Sequence, residues 1–492
     1  MKLSHTLTRT SAVFDDPNLV SCAGLVPVMA LADAAGLRTL TDERLTLATD
    51  KGANAGLKVA SIVGGMLTGA DSIDDMAVLR HGGMSRLFTA AYAPSTLGSF
   101  LRAFTFGHVR QLDAVAARFL LALAGLSRLL GVDGAGPDTA TTPMTGTSSG
   151  YALLDIDDTI IEVHGHQKQG AGFGYSRVRG LNAILATLTV AGMAPVIVAQ
   201  RLRKGACGSP RGAARLIGDA VKAARRLLGA DRAVLVRMDS AFFGGPAVRA
   251  ALAGGADVSV TVRLTAAIKT AVAGIDEGAW TTIEYTDAIR DQTTGEWISR
   301  AEVAEIAFTA FAAQQKAHHV PGRLVVRRIP DANADRNKAA GQGTLFDVCR
   351  FHAFFTTTDP AVLDTVTADQ THRHHAIIEQ VHADLKSSAL AHLPSGKFTA
   401  NAAWLVLAVI AFNLTRAAAT LTEGDTHRST TGRRLAKAST ATIRRTLIQV
   451  PARVASSARR VTVHLPRHWP WEHAWTQLFR HACRPPPATA RT

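Results

Sequence analysis

Residues 151–165, YALLDIDDTIIEVHG, constrain the fold more than any other stretch of the chain. Apolar and acidic residues alternate there with the period of a strand, so Asp155 and Asp157 share one face while Leu154 and Ile156 share the other. Asp158 then falls on the face opposite Asp157. A strand of this kind delivers carboxylates to the carboxyl edge of a sheet, where open α/β sheets build their sites. The competing account, acids solvated in a turn, is weighed against the rest of the chain.

The segments that follow form an ordered series. NAILATLTVAG and APVIVAQRLRKG are β-rich and joined by a Gly-containing turn. RGAARLIGDAVKAARRLLGA is a helix with Leu216, Val221, Leu227 and Leu228 on its apolar side. RAVLVRMDSAFF is a buried strand ending in Asp239, and a short helix and the strand DVSVTVRL come next. The class is α/β, and this order resembles the ribonuclease-H-like fold of polynucleotidyl transferases. Alternating stretches such as WTTIEYTDAI and GRLVVRRIP then interrupt it as a β-rich insertion, before FHAFFTTT returns to the core and the helices HHAIIEQVHADLKSSAL and AAWLVLAVIAFNLTRA close it.

Upstream, apolar residues at three-and-four spacing predict helices. Ser72 with Asp75 reads as a capping box and Ser95 as a second cap, so the two helices would form a helix-turn-helix that presents Ser99 and Arg102 to a DNA groove. Ordinary helical packing explains them equally well. The expected layout is a helical N-terminal DNA-binding domain (1–130), a Gly/Pro/Ser/Thr-rich linker (131–150), the first part of the core (151–264), a β-rich insertion (265–350), the second part of the core (351–420) and a basic C-terminal tail (421–492).

Charge narrows the partner. The 492 residues carry 54 Lys and Arg against 39 Asp and Glu, a net +15, which points to an acidic partner and most often to nucleic acid. From Arg428 onward there are 13 Arg or Lys and a single acid, Glu472. The four cysteines lie far apart without a C-x-x-C pair, which argues against zinc and disulfide frameworks and fits a reducing cytoplasm. The first residues lack the apolar centre of a signal peptide, and the run AAWLVLAVIAFNL is too short to span a bilayer, so no membrane partner is expected.

The acids admit two chemistries. D-x-D-x-T (Asp155, Asp157, Thr159) resembles the nucleophile motif of haloacid-dehalogenase-type phosphatases, but no strand after Asp239 ends in the paired acids that family uses for magnesium. The alternative is a trio, Asp157, Asp239 and Glu379, able to clamp two divalent ions at a phosphodiester; oxygen ligands suit Mg2+ or Mn2+. Lys386 follows Glu379 by nearly two helical turns and shares its face. His164, His166, His372, His374 and His375 lack tetrahedral spacing and read as polar or DNA-facing. Gly170, Gly172 and Gly174 imitate a phosphate loop, yet strand residues follow, so a tight turn is expected.

LDIDDTIIEVHGHQKQGAGFGYSRVRG, VRMDSAFF and EQVHADLK resemble the DDE transposases of bacterial insertion sequences, in the group with a Tyr-x2-Arg-x3-Glu-x6-Lys signature and most nearly insertion-sequence family thirteen-eighty. The resemblance implies that Asp157 is the first catalytic acid, with Asp239 and Glu379 completing a site that uses two Mg2+ or Mn2+ ions. It implies a homodimer on double-stranded DNA that cuts at terminal inverted repeats and joins the ends to target DNA. Glu379 and Lys386 match the signature, whereas His372 and His375 occupy its Tyr and Arg positions, leaving Arg373 to compensate in contacting phosphate. Lys386, Arg373, His375, His372, Arg102 and Ser99 are thus the expected DNA contacts. Relatives with an inserted β-rich region can hold a flipped base with an aromatic residue; Trp280 and Trp297 are the candidates, with core packing as the competing account. A ribonuclease-H-like nuclease without strand transfer, a DNA-binding protein with inactive carboxylates, and a phosphatase using Asp155 remain as alternatives.

Overall fold

A computed structural model describes residues 10–47, 50–131, 150–284, 300–330, 349–422, 431–457 and 460–483. A short strand, β1 (Leu19–Val20), precedes six helices: α1 (Leu25–Ala34), α2 (Leu37–Arg44), α3 (Ala55–Thr68), α4 (Met84–Leu87), α5 (Pro94–Arg102) and α6 (Phe106–Leu126). The Ser72–Asp75 capping box forms, with Asp75 N–H on Ser72 Oγ at 3.3 Å and Ser72 N–H on Asp75 at 3.2 Å. It opens a 3-10 segment, Asp74–Arg80, rather than an α-helix. Met76 and Leu79 are its buried residues, and a spacing of three suits three residues per turn. Helix α5 starts at Pro94, whose fixed φ suits a first helical position, so Ser95 lies inside the helix and not at its cap. The expected helix-turn-helix is therefore absent as a pair of adjoining α-helices: α4 and an extended stretch stand between the 3-10 segment and α5.

A ten-stranded mixed sheet forms the centre. Its strands are β2 (Ala152–Glu162), β3 (Gly172–Phe173), β4 (Arg179–Thr189), β5 (Val196–Lys204), β6 (Val234–Met238), β7 (Asp257–Val262), β8 (Thr281–Glu284), β9 (Arg300–Ala310), β10 (Val320–Pro330) and β11 (Cys349–Thr356). They lie in the order β3-β4-β2-β6-β7-β11-β10-β9-β8, with β5 on β4. Strands β2, β6 and β7 are parallel, as the intervening helices α7 (Ala213–Leu228) and α8 (Gly245–Ala253) allow, and the other pairs are antiparallel. After α9 (Ala266–Ala273), strands β8 to β10 extend this same sheet through β11.

The remaining helices are α10 (Thr365–Arg373), α11 (Ile377–Lys386), α12 (Phe398–Thr420), α13 (Thr431–Ala436), α14 (Thr440–Ile443) and α15 (Glu472–Cys483). Helix α12 is apolar all round and long enough to cross a membrane, and it is buried along its length between the N-terminal helices and strand β5. Its buried Asn413 takes Ile197 N–H at 2.9 Å and donates to Ile197 O at 2.8 Å, satisfying backbone groups beside the irregularity in the β4–β5 ladder. One continuous apolar core runs from the N-terminal helices through the sheet to α12 and the C-terminal segment.

That C-terminal segment, expected as a basic tail, is folded over the described residues. Strands β12 (Ala452–Ser457) and β13 (Arg460–His464) join β1 in a three-stranded sheet, and Leu447, Ile448, Trp475 and Leu478 are buried. Apolar residues among the arginines anchor the backbone, while Arg445, Arg453, Arg460, Arg467 and Arg480 stay exposed and Arg444 is half-buried. Gly24 marks the closeness of the seam, because a Cβ there would sit 1.6 Å from Leu447 O.

Candidate active site

Strands β2 and β6 are parallel neighbours in a register that pairs Ile156 with Met238, so Asp157 and Asp239 follow side by side at the carboxyl ends of the two strands. Asp157 Oδ1 accepts the N–H of Asp158 at 2.7 Å. Asp239 caps a short 3-10 turn by accepting Ala241 N–H at 3.0 Å. Burial, and then the charge of Asp157, hold the Asp239 carboxyl above the usual carboxylate range. Two acids this close repel one another, which a positive charge beside them would relieve. Asp158 leaves the opposite face, as the alternation predicts, and is bound by Arg203, Asn182 (2.8 Å) and Ser209 (3.1 Å).

Directly behind this pair lies a buried clamp. Asp155 is fully buried and takes Arg237 Nε at 2.7 Å and Arg237 Nη2 at 2.8 Å. Although burial opposes its charge, Arg237 and His375 hold the Asp155 carboxyl below the usual range. The same guanidinium donates to the carbonyls of Thr371 and His374, and His375 Nδ1 lies 2.8 Å from Asp155 Oδ1. Two strands and the chain leading into α11 are thereby fastened at one point. An acid so enclosed cannot reach a substrate phosphate, which removes the nucleophile from the phosphatase alternative.

Helix α11 presents three polar side chains in successive turns on neighbouring positions of the wheel. Glu379 in its first turn is exposed. His382 is buried, with Nε2 3.5 Å from Asp157 Oδ2. Lys386 Nζ donates to Thr159 Oγ1 at 3.1 Å and makes no ion pair among the described residues. Asp384, a conceivable partner for Lys386, is instead bound by Arg416 Nη2 at 2.7 Å and by Thr440. Among the described residues no three Asp, Glu, His or Cys side chains are grouped closely enough to share an ion. The structure thus brings Asp157 and Asp239 together and leaves Glu379 apart from them.

The pair opens into a groove of about 1460 Å³ whose lining includes Asp157, Asp239, Lys386, Arg263, Tyr175 and Phe311. Tyr175 is fully exposed on the loop after the glycines; Gly170 there adopts φ +80°, and Gly172 enters β3, giving the tight turn expected from the sequence. Phe311, at the end of β9, stacks on Phe243 with centroids 5.1 Å apart. Strands from both sides of the sheet therefore wall one site.

Several expected DNA contacts are engaged elsewhere. The His372 ring stacks on Phe354 at 4.1 Å, and its nitrogens meet Ser259 Oγ at 2.7 Å and Thr261 Oγ1 at 2.9 Å. Burial pushes its pKa down to about 3, so it is a neutral part of the core and not a phosphate contact. His375 faces Asp155, and Arg373 is paired with Asp369 at 2.9 Å. Arg102 is exposed and bonds Ser99 at 3.2 Å, while its own carbonyl accepts from Lys397 at the start of α12. Trp280 lies under the Arg328 guanidinium at 4.3 Å and against Phe351, outside the groove lining. Trp297 lies outside the described residues. The position that sequence reasoning missed is His382; its place three residues after Glu379, on the same helical side, was the available signal.

A mixed α/β sheet with two acids side by side on its parallel centre fits the DDE nuclease type of fold. A family model described as "Transposase DDE domain group 1" matches residues 144–484, and the chain belongs to this family of DDE transposases. No curated protein matches the chain.

Proposed function

We propose that this transposase binds the terminal inverted repeats of a mobile element, cuts phosphodiester bonds there and joins the freed 3′-hydroxyls to target DNA. The observation that carries the reading is the pairing of Asp157 and Asp239 at the floor of the groove. An all-oxygen donor set and a carboxyl raised by burial and by its neighbour's charge fit divalent Mg2+ or Mn2+. Asp157 and Asp239 would hold the ions, two in the complete site, with Glu379 joining from α11 in a ribonuclease-H-like arrangement. Bound there, the metal supplies charge stabilisation at the attacking and leaving oxygens.

The chain's own residues orient and bind. The Asp158 N–H holds one oxygen of Asp157, Oδ1. Lys386 offers a compact positive charge at the groove wall, suited to a neighbouring phosphate. The exposed arginines of the C-terminal segment add contacts to the DNA backbone, and synapsis of two ends calls for a homodimer acting on DNA in the cytoplasm. Incubating the purified chain and Mg2+ with plasmid DNA carrying the sequences that flank its gene, then sizing the products, tests the reading. Excised ends joined to a target are expected. Cutting without joining would identify a nuclease, and the absence of metal-dependent cutting would overturn the enzyme.

A further inference from the structure

We propose that His382 is a positioning residue that holds the Asp157 carboxylate in its metal-binding orientation, an inference that rests on Asp157 being a ligand. His382 is 5% exposed, on the side of α11 that faces β2. Neither ring nitrogen has a hydrogen-bond partner among the described residues. An imidazole always carries at least one N–H, and burying a donor without an acceptor costs about 1–3 kcal/mol. Its buried neighbours on the helix, Ile378, Val381 and Leu385, show that an apolar side chain would suit the packing. A polar ring kept there calls for an acceptor, and Asp157 Oδ2 is 3.5 Å from Nε2.

The geometry completes the account. Asp157 Oδ1 is already held by the Asp158 N–H at 2.7 Å, which leaves rotation of the carboxylate governed from the Oδ2 side. A closure of roughly 0.5 Å brings Nε2–H into hydrogen-bond range of that oxygen. The carboxylate is then held at both oxygens, each keeping a lone pair for a cation. Partners of this kind behind a metal ligand fix its orientation, and their loss lowers metal affinity by about 10- to 100-fold.

The test is Mn2+ binding by the full-length protein, followed by electron paramagnetic resonance of the free ion, with thermal melting to establish folding. His382→Leu, which keeps the packing and removes the donor, is expected to weaken Mn2+ binding about 10-fold or more. His382→Gln, which restores an N–H, is expected to stay within about 3-fold of wild type, a rescue that a purely structural role would not require. Asp157→Asn is measured beside them. Wild-type affinity in Asp157→Asn would overturn the ligand reading itself, and the inference with it. Lost binding in Asp157→Asn with wild-type affinity in His382→Leu would overturn the inference alone, as would a glutamine variant as weak as the leucine one. If the leucine chain does not fold, His382→Met makes the same comparison. Failure of both to fold, beside a folded glutamine chain, would assign His382 to stability and overturn the proposal.

Discussion

Arg237, two residues before Asp239 on β6, grips both oxygens of Asp155, two residues before Asp157 on β2. The ion pair beneath Asp157 and Asp239 therefore ties together the strands that carry them, and through the carbonyls of Thr371 and His374 it also ties down the approach to α11. Arg237→Met would leave the buried Asp155 carboxylate with His375 but without the guanidinium that grips both its oxygens, with an expected loss of about 3–5 kcal/mol. Asp155→Leu combined with Arg237→Met should recover part of that stability while cleavage stays lost, because the carbonyls before α11 remain ungripped. Urea unfolding beside plasmid cleavage checks both halves, and a double variant that cleaves normally would contradict the positioning role.

Asp157→Ala and Asp239→Ala are each expected to take cleavage below detection while DNA binding is retained, since phosphate contacts dominate affinity. Glu379→Ala should do the same if the exposed acid of α11 joins the site on DNA. Normal cleavage by the Glu379 variant would leave a two-carboxylate enzyme. Gel-shift and cleavage assays on one preparation separate binding from chemistry.

The raised Asp239 carboxyl gives a pH dependence of definite sign. A group raised by folding contributes stability below its unfolded value, near 3.8, and that contribution is lost as pH rises through the folded value. In metal-free protein this group therefore makes the fold less stable toward neutral pH. Asp239→Asn should melt above wild type at pH 7 without metal and should lose the stabilisation that Mg2+ gives wild type. Mg2+ binding, with which the proton on Asp239 competes, should begin to weaken on acidification at a pH above the ordinary carboxylate range. Melting curves with and without Mg2+ that coincide for the two proteins would contradict this.

Lys386→Ala should reduce both DNA affinity and cleavage, and Lys386→Arg should retain part of each. Among the described residues Lys386 makes a single hydrogen bond, to a threonine, so melting temperature should change little. A folded alanine variant with normal affinity would remove the phosphate role.

Deleting residues 428–492 would strip Leu447, Trp475 and Leu478 from the core and so would test folding rather than DNA binding. Neutralising the exposed Arg460, Arg467 and Arg480 is the cleaner experiment. The slope of log affinity against log salt should become shallower by about 0.9 for each phosphate that the variant no longer neutralises. An unchanged slope would show that this face stays off the DNA.

The acids at the centre of the sheet were legible because strand alternation assigns faces without knowledge of the fold: Asp155, Asp157 and Asp158 all point as the pattern requires. Arg237 was legible in principle, an arginine inside the apolar run VLVRM that could be buried only against an opposite charge, which Asp155 supplies. His372 was not, because whether a histidine meets solvent or a pair of hydroxyls on β7 depends on residues more than a hundred positions away in the chain. The C-terminal segment misled through its charge. Its arginines dominate the composition, while the few apolar residues that fold it lie in elements such as α14, β12 and β13, too short for their periodicity to stand out.

The pairing of Leu19 and Val20 with Arg453 and Ala452 has a consequence for synthesis. Strand β1 has no edge to join until more than four hundred further residues have left the ribosome, and pairings of such separation form slowly. Until then the α1 face that meets α15 is uncovered, and the growing chain is exposed to aggregation and proteolysis there. A ribosome that stalls before β12 thus releases a polypeptide in which β1 and α1 are as unfinished as the segments not yet made.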